Sequence, residues 1–261
     1  MFEPYLSRWD LVPDGAPILT HSSRLLPVRY RGEKAMLKVA VEAEEKRGGL
    51  LMVWWDGDAR VLQHDGAALL LERAEGIRSL IEMAHDGQDD AASRIICDVA
   101  ARLHTPRGIP PPELVPLAEW FRELWPVAAT HGGLLRRAAE TARDLLDAPQ
   151  EIGVLHGDLH HGNVLDFGPR CWLAIDPKRL LGERGFDFAN IFCNPDASVA
   201  LAPGRLARQA SVVEDASRLD RTRLLQWILA YAGLSAAWIM GDGDHPALEL
   251  AVAESAAAEL A

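Results

Sequence analysis

One polar segment between two apolar ones constrains the fold more than any other part of the chain. Residues 156–163, His-Gly-Asp-Leu-His-His-Gly-Asn, follow the apolar pair Val154-Leu155. Asp176 comes thirteen residues after this segment and directly after the apolar run 171–175. Short apolar runs of this composition predict β-strands. The sequence therefore places Asp158 in a loop after one strand and Asp176 at the end of another.

The order carboxylate, carboxamide, carboxylate is suited to phosphoryl transfer. Asp158 can orient a hydroxyl group and accept its proton, while Asn163 and Asp176 offer the oxygen ligands that Mg²⁺ prefers. The nucleophile is then an alcohol of the substrate, so no activated serine or cysteine is needed. An acidic turn without catalytic function is the alternative, and the combined spacing favours a kinase.

These residues resemble the catalytic loop of the aminoglycoside phosphotransferases, which are small-molecule kinases with a protein-kinase-like fold. Residues 155–163, 172–177 and 182–186 look most like the streptomycin 6-kinase branch, often grouped as aminoglycoside/hydroxyurea resistance kinases. The resemblance implies an α+β, bilobal fold. A small β-rich N-lobe (1–73) would carry a nucleotide-gripping lysine, and a larger helical C-lobe (74–261) would carry the catalytic loop and the acceptor pocket.

Lys38 is the candidate for the nucleotide-gripping lysine. It lies in the apolar run Met36–Val39, and it either extends to solvent or points into a cleft to pair with phosphate. The kinase strand signature favours the cleft. A helix glutamate should hold this lysine, and the resemblance to streptomycin kinases selects Glu45 over Glu42 and Glu44. The alternative is that these acids only stabilise the helix N-terminus.

The phosphate-binding loop lacks the G-x-G-x-x-G pattern. Residues 20–24, Thr-His-Ser-Ser-Arg, stand in its place, and Ser22 and Ser23 are candidates for phosphate contacts. The apolar run 67–71 predicts a buried strand that ends at a hinge between the lobes. Backbone groups of Glu72 and Ala74 would bind adenine there, and a plain strand end is the alternative.

Strands early in the chain and helices later indicate a small mixed lobe on a larger helical one. Residues 1–20 are predicted to be an irregular lead-in, and strands are predicted at 25–30 and 35–39. Asp89 or Asp90 is a plausible N-cap for a helix that continues to Leu103. Further helices are predicted near 116–130, 133–147, 204–216, 220–240 and 246–260.

Two residues are expected to brace the catalytic loop. His156 is assigned to bracing, because Asp158 already fills the role of the base. Asp187 lies in a Phe-Asp-Phe-Ala stretch that resembles the family's D-x-A element, whose aspartate ties down the loop; an N-cap carboxylate is the alternative. His160 either stabilises the transferred group or packs the loop, and packing is favoured. Because His160 and His161 are adjacent, they do not readily converge on one zinc ion.

The acceptor pocket is predicted from positions where related enzymes build theirs. A cationic cyclitol would be bound by carboxylates and would stack on a tryptophan. The candidate carboxylates are Glu183, Asp242 and Asp244, and the candidate tryptophan is Trp238. A core tryptophan and loop acids are the alternative. The net charge of −11 suits a cationic acceptor or serves only solubility, and it argues against a nucleic-acid partner.

The function expected from these features is transfer of the γ-phosphoryl group of ATP, with GTP as the other donor considered, to a hydroxyl of a small molecule. Streptomycin or a related aminocyclitol is the leading acceptor. Alternatives are a kinase of another small metabolite, such as an amino sugar or a hydroxyurea-like compound, and a nucleotide-binding pseudoenzyme. The complete set of Lys38, Asp158, Asn163 and Asp176 argues against a pseudoenzyme. The sequence predicts no particular oligomeric state.

The sequence also predicts a cytoplasmic protein. Cys97, Cys171 and Cys193 lie in apolar contexts and are expected to be buried thiols in a reducing compartment. The N-terminus shows neither a basic start nor an apolar run. The most apolar stretch, 224–240, carries Gln226 and is predicted to fall short of a membrane span.

Overall fold

A computed structural model describes residues 1–20, 22–41, 43–55 and 59–261, and it describes the side chains of these residues except 43–47. The N-terminal part is an antiparallel sheet with the strand order β1-β3-β4-β6-β5, and β2 pairs with β3. The strands are β1 (Leu11–Pro13), β2 (Ile18–Leu19), β3 (Ser23–Tyr30), β4 (Glu33–Ala40), β5 (Val61–Asp65) and β6 (Ala68–Glu72). Helix α1 (Glu3–Arg8) precedes the sheet, and α2 (Ala43–Trp55) connects β4 to β5.

The first twenty residues are more regular than the sequence predicts. They contain α1, β1 and β2 in place of an irregular lead-in. Strand β1 pairs with β3 from Leu11 opposite Tyr30 to Pro13 opposite Val28. The prediction that this segment is irregular was wrong. Strands of two or three residues are too short to produce a detectable alternation of apolar and polar residues.

The alternation of side chains along β4 separates the N-lobe core from the cleft. Ala35, Leu37 and Val39 join one buried cluster with residues of β3 and β6. Side chains of successive strand residues point to opposite faces, so Lys38 lies on the other face. That face also carries Leu69, which is opposite Lys38 in the β4–β6 register. The sheet thus presents a lysine toward the C-terminal part.

The C-terminal part is mainly helical. Its α-helices are α3 (Leu80–His85), α4 (Asp89–Leu103), α5 (Leu117–Trp120), α6 (Leu124–His131), α7 (Gly133–Asp147), α8 (Phe186–Ala189), α9 (Ala197–Ala200), α10 (Arg205–Ser217), α11 (Arg221–Gly241) and α12 (Ala247–Glu259). Short 3₁₀ turns cover Phe121–Glu123, Gly168–Arg170 and Asn190–Cys193. The helices predicted at 116–130, 133–147, 204–216, 220–240 and 246–260 are confirmed.

Five short strands frame the catalytic segment within this helical part. Strands β7 (Val115–Pro116), β11 (Leu180–Glu183) and β8 (Ile152–Leu155) form one sheet, and β9 (Val164–Asp166) and β10 (Trp172–Ala174) form a hairpin. Residues 156–163 connect β8 to β9, and Asp176 follows β10. The strand–loop–strand arrangement predicted around Asp158 is therefore confirmed.

Helix α11 is the central helix of the C-terminal core. Leu224, Trp227, Ile228 and Leu234 are fully buried along it. By length and composition alone α11 could cross a membrane, which corrects the prediction that this stretch falls short of a span, but 67% of the apolar window is buried inside the fold. A mostly buried apolar helix is what the core of a large helical lobe requires.

Two further predictions are corrected by the structure. The N-cap of α4 is Gln88, and Asp89 lies in the first turn, where it is buried and receives hydrogen bonds from Arg205 at 2.8 and 3.0 Å. A buried guanidinium competes for the carboxylate more strongly than exposed backbone N–H groups do. Cys97 and Cys193 are buried free thiols as predicted, whereas Cys171 is exposed in the turn of the β9–β10 hairpin.

Candidate active site

The start of the catalytic loop is held by one buried carboxylate. Asp187 accepts hydrogen bonds from the backbone N–H of His156 at 2.9 Å and from that of Gly157 at 2.7 Å. Gly157 has φ +82°, and a Cβ atom there would lie 2.8 Å from Leu180, so the turn requires glycine. The structure thus brings Asp187 and the loop together, as predicted.

The charge of Asp187 is maintained despite its burial. Burial raises the pKa of this carboxyl, but the hydrogen bond from His104 and the neighbouring imidazoles and backbone N–H groups outweigh that effect, and the pKa is lowered overall. His104 Nε2 lies 2.8 Å from Oδ2 of Asp187. His104 was not predicted from the sequence, because it lies 83 residues away in the chain.

His156 connects the two carboxylate segments. Its Nε2 lies 2.8 Å from the carbonyl oxygen of Ile175, and its Nδ1 accepts the backbone N–H of Asp158 at 3.2 Å. This pairing fixes the neutral tautomer with the proton on Nε2. Burial lowers the pKa of His156, which also keeps the ring neutral. Its fully buried ring stacks on Trp55 with 6.1 Å between ring centroids.

The carboxylate of Asp158 is oriented by two carboxamides. Asn163 Nδ2 donates to Oδ2 at 3.1 Å and to the backbone carbonyl of Asp158 at 2.9 Å. Asn190 Nδ2 donates to Oδ1 at 2.9 Å. The side chain of Asp158 remains 30% exposed, so a substrate can reach it. Asn190 was missed by the sequence analysis, and its position three residues after Asp187 in the same helical segment was the available signal.

Lys38 reaches across the cleft to Asp176. Its ammonium group forms an ion pair with Oδ1 of Asp176, and Lys38 is buried while the Asp176 side chain remains 33% exposed. Asp176 has φ +64°, a conformation that costs energy for a non-glycine residue and that often occurs at functional sites. The lysine, the catalytic loop and the second aspartate therefore share one cleft. Glu45, the predicted partner of Lys38, is among the residues whose side chains lie outside the description.

An apolar cluster lies between the sheet and the β9–β10 hairpin. Met52, Leu69 and Leu71 from the N-terminal part pack with Phe167 and Leu173 from the hairpin. Partly buried side chains that border this cluster are those of Val61, Ala74, Leu165 and Ile175. This apolar cluster next to the predicted hinge has the apolar character that an adenine site requires. Leu165 and Ile175 were not singled out from the sequence.

The hinge candidates occupy different environments. The backbone N–H of Glu72 donates to the carbonyl of Arg60 at 3.0 Å, and the Glu72 carboxylate forms an ion pair with Arg170 of the hairpin turn. The N–H of Glu72 is therefore used within the fold. Ala74 lies beyond the last strand residue and borders the apolar cluster.

The segment that replaces a glycine-rich loop is a tight turn. Thr20 Oγ1 accepts the backbone N–H of Ser23 at 3.0 Å, and the backbone carbonyl of Ser22 accepts the N–H of Val41 at 2.8 Å. The hydroxyl of Ser23 is buried and has no hydrogen-bond partner within the described part of the chain. His21 lies outside the described residues.

Glu183 does not belong to an acceptor pocket, and the prediction for it was wrong. It is buried, and its carboxylate receives hydrogen bonds from Arg223 at 2.5 and 2.9 Å, from Trp227 Nε1 at 2.7 Å and from the N–H of Gln150 at 2.8 Å. These four bonds use the acceptor capacity of the carboxylate, so a ligand finds none left. Glu183 joins β11 to α11 inside the C-terminal part.

Trp238 lines an open cavity on the C-terminal part. Its ring packs edge to face on Trp120, with 5.7 Å between the centroids. These two rings, with Arg122 and Glu123, line a cavity of about 240 Å³. The indole N–H of Trp120 is buried and has no acceptor among the described residues. Asp242 and Asp244 are exposed beyond the end of α11, and no described hydrogen bond or ion pair joins their side chains to the catalytic loop.

The loop histidines have packing roles in this structure. His160 Nδ1 accepts the N–H of Gly162 at 3.1 Å, and its Nε2 lies 3.7 Å from Oδ1 of Asp158. His161 is buried beside Asp89, and burial lowers its pKa to about 3. Within the described residues, no group of three or more His, Cys, Asp or Glu side chains could hold a metal ion.

Comparisons with known proteins agree with the geometry. The family model described as aminoglycoside/hydroxyurea antibiotic resistance kinase matches residues 8–243. A streptomycin 3''-kinase of Klebsiella pneumoniae is 54% identical over 258 residues, which cover 95% of this chain and 97% of that protein. A streptomycin 6-kinase of Streptomyces griseus is 33% identical over 256 residues, which cover 91% and 81%.

Solved structures share the fold at low sequence identity. A thermostable mutant of the aminoglycoside phosphotransferase APH(4)-Ia, in complex with ADP and hygromycin B, has a TM-score of 0.66 at 14% identity and covers 97% of this chain and 96% of its own. Choline kinase LicA from Streptococcus pneumoniae has a TM-score of 0.64 at 12% identity, with 99% and 96% covered. The predicted α+β, protein-kinase-like bilobal fold is confirmed.

Proposed function

Since the chain belongs to the aminoglycoside/hydroxyurea antibiotic resistance kinase family, we propose that it transfers the γ-phosphoryl group of ATP to a hydroxyl of streptomycin. The observation that carries this proposal is the cleft itself, where Asp158 and Asn163 lie opposite a lysine that contacts Asp176 across the lobes. The relatives at 54% and 33% identity are named for phosphorylation of streptomycin. The higher identity to the 3''-kinase favours the 3''-hydroxyl over the 6-hydroxyl.

Asp158 acts as the base of this reaction. The two carboxamides hold its oxygens in place, and the partly exposed carboxylate is available to the hydroxyl of an acceptor. Asp158 orients that hydroxyl toward the γ-phosphorus and accepts its proton as the new O–P bond forms and the bond from the γ-phosphorus to the β,γ-bridging oxygen breaks, with ADP as the leaving group. Because His156 is neutral and already bonded on both nitrogens, it braces the loop and does not transfer the proton.

The adenine of ATP binds at the apolar cluster between the sheet and the β9–β10 hairpin, and the phosphates bind near Lys38. Adenine would contact the side chains that border the apolar cluster, Leu69 and Leu71 from the sheet and Leu165 and Ile175 from the C-terminal part, and the backbone of Ala74 would bond its edge. The backbone carbonyl of Glu72 provides the second hinge contact with adenine. Lys38 grips the phosphates, Glu45 is its expected partner, and Ser22 and Ser23 add hydroxyl or backbone contacts. The hydroxyl of Ser23, which has no hydrogen-bond partner among the described residues, is consistent with a phosphate contact.

The donor set suits Mg²⁺. Asn163 and Asp176 offer oxygen atoms, and two oxygen ligands from the protein match a Mg²⁺ ion whose other ligands are phosphate oxygens and water. A bound Mg²⁺ would neutralise charge on the phosphates. Lys38 adds positive charge on the same side of the cleft, so the ion pair between Lys38 and Asp176 keeps both groups in position before nucleotide arrives.

The cavity between Trp120 and Trp238 is the candidate for one ring of the acceptor. The rings of Trp120 and Trp238, which line this cavity, offer stacking surface for a cyclitol. Asp242 and Asp244 follow Trp238 closely in the sequence and supply negative charge, which favours guanidinium and amine groups, whereas the Glu123 carboxylate is paired with Arg122 at 3.1 Å.

A purified-enzyme assay tests the proposed function. ATP consumption is measured with streptomycin, hydroxyurea, hygromycin B and choline as separate acceptors, and the site of phosphorylation on streptomycin is assigned by phosphorus–proton NMR. We expect stimulation by streptomycin and a phosphate on the 3'' position. Stimulation by hydroxyurea alone would favour the alternative represented by a hydroxyurea phosphotransferase of Kitasatospora aureofaciens, which is 33% identical. No stimulation by any of the four would remove the proposed acceptor class.

We also infer that the enzyme acts in the cytoplasm. Its three cysteines are free, and two of them are buried where no oxidising partner reaches them. Its acidic surface does not favour a nucleic acid or an anionic membrane.

A further inference from the structure

Helix α2 follows a strand of the N-lobe but packs into the core of the C-lobe. Leu51 and Trp55 are fully buried in the same core as Phe186 and Trp227. Gly48 approaches the segment after Asp176 so closely that a Cβ atom there would lie 2.5 Å from the carbonyl oxygen of Pro177. The helix next to the nucleotide-gripping strand thus packs on both lobes: Met52 lies against Leu69 and Leu71 of the sheet, while Leu51 and Trp55 are anchored in the C-lobe core.

Arg107 fastens the C-terminal end of this helix. Its guanidinium donates to three backbone carbonyls, those of Leu103, Thr105 and Trp55, at 3.0, 3.1 and 3.1 Å. The same guanidinium lies over the ring of Trp54, 5.1 Å from its centroid. Trp54 Nε1 donates to the carbonyl of Ile109 at 3.2 Å. Carbonyls at a helix C-terminus lack intrahelical partners, so a cation that binds one of them also suits the helix dipole.

The fastened end lies directly behind the catalytic loop. Trp55 stacks on His156, with 14° between the ring planes. His156 in turn bonds the backbone N–H of Asp158 and the carbonyl of Ile175, the residue before Asp176. A shift of Trp55 would therefore displace the His156 imidazole, and through it the backbone that carries Asp158 and Asp176.

We propose that Arg107 is a positioning residue for phosphoryl transfer. By holding the end of α2 against the segment 103–109, it keeps Trp55 on His156 and so keeps Asp158 and Asp176 aligned. The inference concerns alignment within the site, and its kinetic part rests on the proposed function.

The test compares Arg107→Met with Arg143→Met in the full chain. The guanidinium of Arg143 lies 4.8 Å from the ring centroid of Trp125, far in sequence from α2, so this variant also loses a guanidinium stacked on tryptophan. For Arg107→Met we expect kcat to fall about tenfold and the KM for ATP to rise, while the KM for streptomycin stays unchanged. Arg143→Met should leave all three constants unchanged. Arg107→Lys, which keeps the charge and one donor group, should give an intermediate kcat.

Hydrogen–deuterium exchange separates alignment from general loss of structure. In Arg107→Met, amides of residues 50–55 should exchange faster while the rest of the C-lobe keeps its protection. Unchanged exchange in 50–55, unchanged kcat, or an equal loss of kcat in Arg143→Met would each overturn the proposal. If the wild-type enzyme turned over no acceptor, the proposed function would fail, but exchange in 50–55 would still decide whether Arg107 fastens α2.

Discussion

Asn190 donates a hydrogen bond to Oδ1 of Asp158 at 2.9 Å, and it thereby fixes the carboxylate oxygen that Asn163 does not contact. The orientation of the Asn190 amide is itself defined, because its Oδ1 accepts a hydrogen bond from Asn194 at 2.8 Å. The base of the reaction is therefore held by a chain of carboxamides that begins outside the catalytic loop.

Asn190→Ala should lower kcat about tenfold with little change in the KM for ATP. The substitution removes one of two donors that fix the base, and a misaligned base loses part of the benefit of proximity. Asn190→Asp should be worse, because a second carboxylate next to Asp158 disfavours its ionised form. Steady-state kinetics with both substrates provide the measurement. If Asn190→Ala kept full kcat at a normal melting temperature, the bond to Asp158 would have no role in catalysis.

Asp158→Asn should lower kcat by about 10² to 10⁴, since it removes the group that accepts the proton and keeps its size. Nucleotide binding should survive, because Lys38 and Asp176 remain. Isothermal titration with a non-hydrolysable ATP analogue checks binding, and ATP consumption in the presence of streptomycin checks turnover. Turnover equal to that of the wild type would assign the base to another residue.

The sequence predicted the parts of the site that are contiguous in the chain. Residues 156–163 and Asp176 carry their geometry locally, because strands on both sides fix the loop. Among contacts that bridge distant segments, the position of Lys38 in the cleft and the bonds from the loop to Asp187 were expected from the family resemblance, whereas the pairing of His104 with Asp187 was not. His104 lies 83 residues before Asp187 in the chain. One histidine so far from its partner forms no recognisable sequence motif with it.

Glu183 was wrongly predicted to line the acceptor pocket. A carboxylate after the second aspartate looked suited to a cationic acceptor, but its position opposite Ile152 in the β11–β8 ladder turns it toward Arg223 and Trp227. Strand register decides which face a side chain occupies, and a register cannot be read from a four-residue strand. The sequence supplied the residue types of the acceptor region without the orientation of each.

The free energy of unfolding should fall as the pH is lowered below about 6.5, partly through His161. Burial lowers the pKa of this histidine from 6.5 to about 3. Between these pH values the unfolded chain binds a proton that the folded protein does not, so folding loses up to about 1.4 kcal/mol per pH unit from this group. His161→Phe should flatten the pH profile by that slope. Urea denaturation at pH 7.5, 6 and 5 measures it, with His245→Asn at an exposed position as the control.

Trp238→Ala should raise the KM for streptomycin about tenfold without a change in the KM for ATP. The substitution removes one of the two stacking faces of the cavity, and such contacts contribute about 0.5 to 1.5 kcal/mol beyond the area they bury. Trp238→Phe should restore most of the affinity. Steady-state kinetics at saturating ATP provide the measurement. An unchanged KM for streptomycin in Trp238→Ala would place the acceptor elsewhere.

Gly48→Ala tests whether the close approach of α2 to the second aspartate matters for catalysis. A Cβ atom at position 48 would lie 2.5 Å from the carbonyl oxygen of Pro177, so either the helix or the segment after Asp176 must move. Overpacking of this kind costs about 1 to 3 kcal/mol, and here the strain falls on the aspartate that contacts Lys38. We expect a lower melting temperature and a rise in the KM for ATP. Gly241→Ala is the matched control, because position 241 is also helical and nothing lies within 4 Å of its added Cβ atom. Equal effects of the two substitutions would mean that the contact with Pro177 does not position the site.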